Sequence, residues 1–75
     1  MKLPDDFGMN QGSEIEIAGV KNRIASIGKR FAALKSDPYQ HQLNLRRVSD
    51  DRFCQAFYNL EAREVSEHVY CYKGI

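Results

Sequence analysis

The sequence predicts a small α+β domain in the order arm–α–β–α–β, dominated by one long amphipathic helix. Three observations carry that expectation. Residues 17–37 repeat every seven positions, residues 39–48 alternate between two faces, and Ser49 stands as a helix cap ahead of a second apolar stripe.

Residues 1–12 read as an extended N-terminal arm, because Pro4, Gly8, Asn10 and Gly12 interrupt any helix. Leu3, Phe7 and Met9 give the arm apolar groups with which to dock on the body at 13–75, a single globular domain. Ser13 and Glu16 have the S-x-x-E spacing of a capping box, which satisfies free backbone N–H groups in a first helical turn. The helix is expected to run to about residue 36, since Asp37-Pro38 stops it.

Within it, Ile17, Ile24 and Phe31 fall at the a positions of three heptads, and Val20, Ile27 and Leu34 at the d positions. Ala18, Ala25 and Ala32 line one flank, and Gly19 and Gly28 would admit a close neighbour. Lys21, Lys35, Arg23 and Arg30 flank the stripe, so a copy of the same helix would meet like charge. The acidic second helix of the same chain suits it better, with a homodimeric coiled coil or another protein's helix as the remaining choices.

In residues 39–48, Tyr39, His41, Leu43, Leu45 and Arg47 share one face, and Gln40, Gln42, Asn44 and Arg46 the other. That is a half-buried strand. Ser49, Asp50 and Asp51 then open a second helix carrying Phe53, Phe57 and Leu60. A short strand at 68–73 completes the reading, ended by Gly74. The alternative is an all-α helical hairpin, in which the second helix continues through Val65 and Val69 to Tyr72.

A chain of 75 residues is one domain. At this size only about 60% of the unfolded surface is buried, which leaves little for an enclosed active site. Apolar residues make up 43% and charged residues 28%, a globular balance. No apolar run approaches the length of a membrane helix, and the N-terminus lacks a signal-peptide core. Cys54 and Cys71 are too few for a disulfide scaffold and are expected to stay reduced in the cytoplasm, the expected compartment.

The net charge of +1 conceals an uneven layout. Residues 21–47 carry seven basic side chains against Asp37 alone, and both flanking segments are net acidic. Such a centre either is neutralised within the fold or meets an acidic partner.

No Gly-rich phosphate loop, nucleophile elbow or dinucleotide fingerprint is present, and neither cysteine has an identifiable activating base. His41, Cys54, His68 and Cys71 offer zinc-type ligands, but their gaps match no zinc-finger spacing, so no metal or cofactor is expected. Glu61, Glu64 and His68 would share a helix face and read as a solvated acidic surface.

The expectation for function is a non-enzymatic interaction protein, a regulator or inhibitor that occupies a protein or nucleoprotein partner. Small accessory proteins of phages and mobile elements have this profile. The alternative is a small DNA- or RNA-binding regulator. Either would use Lys21, Arg23, Lys29, Arg30, Lys35, Tyr39, Gln42, Asn44, Arg46 and Arg47, which supply cations for phosphate, amides for base edges and an aromatic ring for stacking.

Overall fold

Alternation of apolar and polar residues with a period of two builds this molecule. The computed structural model describes residues 1–31 and 33–72. Six antiparallel strands form one curled sheet: β1 (Glu14–Ile17), β2 (Val20–Lys29), β3 (His41–Arg47), β4 (Phe53–Asn59), β5 (Glu64–Val65) and β6 (Tyr70–Cys71). Their spatial order is β1-β2-β3-β4-β5, and β6 shares the outer edge of β4 with β5.

The helix expected at 13–36 is therefore absent among the described residues, and two strands and a loop replace it. Three local causes decide this. Glu14-Ile15-Glu16-Ile17 alternates strictly, and the segment is rich in β-branched residues. Ala18 and Gly19 have positive φ, 51° and 81°, and turn the chain between Ile17 and Val20, which pair across the hairpin. Ser13 is no cap: its hydroxyl donates to the Gly8 carbonyl. Ala32 of the expected repeat lies outside the described residues.

Positive φ at both central positions is the signature of the two-residue turn that matches strand twist, and it favours Asn-Gly over Ala-Gly. Ala18→Asn is expected to stabilise the protein by about 1 kcal/mol. The check is a higher urea midpoint at unchanged slope. A lower midpoint would mean that the alanine methyl is needed where it stands.

The second expected helix is β4, with a loop ahead of it in which Asp51 has φ 57°. Cys54, Ala56 and Tyr58 point inward and are buried, while Phe53, Gln55 and Phe57 alternate to the outer face. The helical reading grouped Phe53, Phe57 and Leu60; in the strand the first two lie on the outer face and Leu60 is exposed in the following turn. The all-α alternative fails for the same reason. β3 occupies the stretch expected to be a strand, and β6 lies within 68–73, of which Lys73, like Gly74, is outside the described residues.

The core lies on the inner face. Ile15 and Ile17 of β1, Ile24 of β2, Leu43 and Leu45 of β3, Cys54, Ala56 and Tyr58 of β4, and Val65 of β5 form one cluster. Between Ile24 and Ser26 the register shifts by one residue, a bulge that bends β2. The arm closes the structure. Lys2 bridges to Glu64, and Leu3 N–H donates to the Arg63 carbonyl beside β5, before the chain crosses to enter β1. Leu3 is buried, and Met1, Phe7 and Met9 pack against the cluster. Along β5 the arm covers backbone groups that would otherwise invite edge-to-edge pairing.

Cys54 and Cys71, expected to be free thiols, face each other across β4 and β6 and form a disulfide. The disulfide overturns the expectation of two reduced thiols. The disulfide also takes both sulfurs out of the conceivable zinc set, and no cluster of three metal-ligating side chains occurs among the described residues. Among those residues no helix is long and apolar enough to cross a membrane.

Candidate nucleic-acid interface

The outer face of the sheet gathers polar and aromatic side chains in a repeating arrangement. Directly opposed strand positions fix it: Arg23 lies against Arg46 and Arg46 against Phe53, while Ser26 lies against Asn44, Asn44 against Gln55 and Gln55 against Tyr70. On β3 and β4 these positions alternate with core residues, so the apolar packing beneath sets the spacing above.

A hydrogen-bonded row crosses the middle of this face. The Tyr72 hydroxyl donates to Gln55 Oε1 at 3.3 Å, and Gln55 Nε2 donates to Asn44 Oδ1 at 3.1 Å. Gln42 Nε2 donates to the same oxygen at 3.2 Å, and Asn44 Nδ2 donates to the Ser26 hydroxyl at 2.8 Å. These contacts orient the amides in advance, so a ligand meets them without paying to order them.

An aromatic pair capped by arginine lies on each side of the row. On one side Phe53 stacks on Tyr72, with ring centroids 5.2 Å apart and planes 19° apart, and the Arg46 guanidinium lies 5.3 Å from the Phe53 centroid. On the other side Phe57 and Tyr70 sit 5.6 Å apart, His68 meets Tyr70 edge-on, and the Arg30 guanidinium lies 3.9 Å over Phe57. Tyr70 and Tyr72 remain 53% and 57% exposed, so a part of each ring is open to a ligand.

Arg30 is held from behind. Its guanidinium donates to Asp37 Oδ2 at 3.1 Å and to the Tyr39 carbonyl at 2.6 Å. The Tyr39 backbone N–H, foremost, and then the Arg30 guanidinium depress the Asp37 pKa against the opposing effect of burial. The Tyr39 hydroxyl donates to Glu64 Oε1 at 2.8 Å, which raises the pKa of the phenol. Tyr39 thus braces the loop, and its hydroxyl is committed to that contact.

The structure brings together Arg23, Arg30, Gln42, Asn44 and Arg46 of the sequence-expected set. Lys21 lies on the same face of β2 near its start, opposite Glu16, and Arg23 is 3.8 Å from Glu14. Lys29, Lys35 and Arg47 stand apart. Lys29 ends β2 opposite His41, Lys35 lies in the loop between β2 and β3, and Arg47 alternates to the inner side. Sequence reasoning missed Ser26, Phe53, Gln55, Phe57, Tyr70 and Tyr72. The signal for half of them is the alternation Phe53-Cys54-Gln55-Ala56-Phe57-Tyr58, which places one set inward and the other outward.

Arg47 closes the β3–β4 loop by donating to Asp50 from Nε at 2.8 Å and from a terminal nitrogen at 2.5 Å. That hydrogen-bonded pairing, helped by the Arg52 backbone N–H, lowers the Asp50 carboxyl from 3.8 to about 2. The folded value lies below the unfolded one, so this contribution to stability is present above about pH 4 and is lost as the pH falls through about 2. Asp50→Asn is expected to melt below the wild type near pH 6, roughly, with the two curves converging toward pH 2. A gap of constant size across that range would assign the effect to something other than the ion pair.

No family model, curated protein or solved structure matches the chain, so the chemistry of this face must speak for itself.

Proposed function

We propose that the chain is a non-enzymatic binding module that takes single-stranded nucleic acid across the outer face of its sheet. One observation carries the reading: two exposed tyrosines and two ring-stacked arginines flank a pre-oriented row of amides. Exposed rings stack on any base, amides read base edges, and the arginines beside the rings meet phosphate. Stacking also accounts for a binding face with few cations, because it does not depend on neutralising a long run of phosphates. In this reading the module regulates or inhibits by occupying a strand, free or within a nucleoprotein, that a larger assembly needs.

The test is fluorescence anisotropy with labelled single-stranded DNA and RNA of about a dozen nucleotides, a length within the site sizes of sheet-based binders. Tyr70→Ala with Tyr72→Ala is expected to weaken binding by at least roughly thirtyfold, since two stacked bases at about 1–3 kcal/mol each are lost. With Arg30 and Arg46 as the phosphate contacts, the slope of log affinity against log salt should be shallow, near about −1.4. Binding that survives the double substitution in a folded protein would refute the stacking face. An absence of binding at low salt would turn the reading to a protein partner.

A further inference from the structure

We propose that this chain associates with copies of itself head to tail, the Phe31 ring of one copy entering the cavity at the opposite end of the next. The proposal is independent of nucleic-acid binding.

The inserting end is the loop between β2 and β3. Phe31 is fully exposed there, at 102%, and Leu34 is 74% exposed. This exposure is built into the loop. The Ala33 N–H donates to the Arg30 carbonyl, and both the Asp37 N–H and Gln40 Nε2 donate to the Leu34 carbonyl. The Arg30–Asp37 ion pair closes the base of the loop. The loop therefore spends its internal hydrogen bonds on presenting two apolar side chains to solvent, where each forgoes about 1.5–3 kcal/mol of burial.

The receiving end is a cavity of about 200 Å³ beside the β1–β2 turn. Ile17, Val20, Val69 and Cys71 give it apolar walls, and Glu67 stands among the residues that line it. Asn22 also lines it, 1% exposed, with its Oδ1 unpartnered. The space is too small for a drug-sized ligand, yet an apolar cavity of about 150 Å³ accepts a benzene ring. A phenylalanine ring fits it by volume, and its apolar walls at Ile17, Val20, Val69 and Cys71 offer the ring contact.

Geometry makes the contact intermolecular. The cavity lies at Val20 and the loop follows Lys29, the two ends of β2. Ten strand residues span roughly 33 Å, comparable to the 34 Å length of the molecule. A loop at one end cannot reach its own cavity, but it can reach the next copy's, and such a contact repeats. Charge agrees: Lys29 and Lys35 flank Phe31 and make no ion pair among the described residues, while of the two charged residues lining the cavity Arg47 is paired with Asp50 and Glu67 is in no ion pair among the described residues.

Sedimentation velocity and light scattering over a concentration series test this on the oxidised chain. The mean mass is expected to rise with concentration from monomer through dimer to longer species. Phe31→Ala should raise the apparent dissociation constant at least about tenfold, the fold-change that burying one large apolar side chain implies. Val20→Phe, placed at a half-exposed position, fills the cavity from its own side and should do the same. Mixing the two variants is expected to restore a one-to-one dimer that does not grow, because one variant keeps the cavity and the other keeps the loop. A chain that stays monomeric to about millimolar concentration, well above typical affinities, overturns the proposal. So do variants that associate like the wild type, or a mixture that fails to pair while Phe31→Ala melts normally.

Discussion

Converting both Cys54 and Cys71 to alanine is expected to lower stability by about 3 kcal/mol and the melting temperature by roughly 12–24 °C. The disulfide closes a loop with a sequence separation of 17 residues, and chain-entropy arguments give about 3 kcal/mol for a loop of that order. Total stability for a domain of this size is only about 4–11 kcal/mol, so the loss is a large share. Alanine is the informative replacement because Cys54 is fully buried, where a serine hydroxyl would add a separate cost. Melts with and without reductant provide the matching measurement on the unmodified chain. The same change should weaken oligonucleotide binding. β6 has only two paired residues, plus the Tyr72 N–H donated to the Phe53 carbonyl, and it carries Tyr70 while Tyr72 follows directly. A reduced protein that melts within a few degrees of the oxidised one would mean that β6 stays docked without its covalent tie.

How much of this was legible in the sequence is best judged at residues 14–34. Of the six heptad residues, Ile17 and Ile24 are buried, whereas Val20, Ile27, Phe31 and Leu34 are exposed. A seven-residue spacing marks one face of a helix, but here Ile17 and Ile24 sit on neighbouring strands joined by a two-residue turn. The residue that the heptads left unplaced, Ile15, is buried opposite Asn22. Ile15 and Ile17 together carried the period of two, and Ala18-Gly19 supplied the turn. The longer repeat hid both, because alanine is a poor advertisement for positive φ. The site divides along the same line. Gln42, Asn44 and Arg46 were legible because the alternation in 39–48 was recognised. Their aromatic counterparts Phe53 and Phe57 are four residues apart, a spacing that shares one face in a helix as well as in a strand, so the sequence alone reads them as a helical apolar stripe. The Cys54–Cys71 pairing had no sequence signal of its own, since it depends on β6 lying beside β4.

These two readings of the same residues differ most sharply in what alanine should do. Leu45 lies on the central strand β3, fully buried, directly between Ile24 of β2 and Cys54 of β4. Its neighbours are anchored by their own strand pairing, so the site cannot collapse around a smaller side chain. Leu45→Ala is expected to cost about 3–5 kcal/mol, most of the stability available to a chain this small. Phe31→Ala and Leu34→Ala should each fall within about 0.5 kcal/mol of the wild type, measured below the concentrations at which copies associate. A heptad helix demands the reverse weighting, because it makes Phe31 and Leu34 core residues on the same stripe as Ile17 and Ile24. Urea unfolding of the three variants therefore measures how unevenly the stripe contributes to stability. Phe31→Ala as damaging as Leu45→Ala would mean that the exposed loop carries stability beyond its own burial. If Leu45→Ala alone collapses the midpoint, the core lies where the inner faces of β2, β3 and β4 meet, and the exposed loop is free to serve a partner copy.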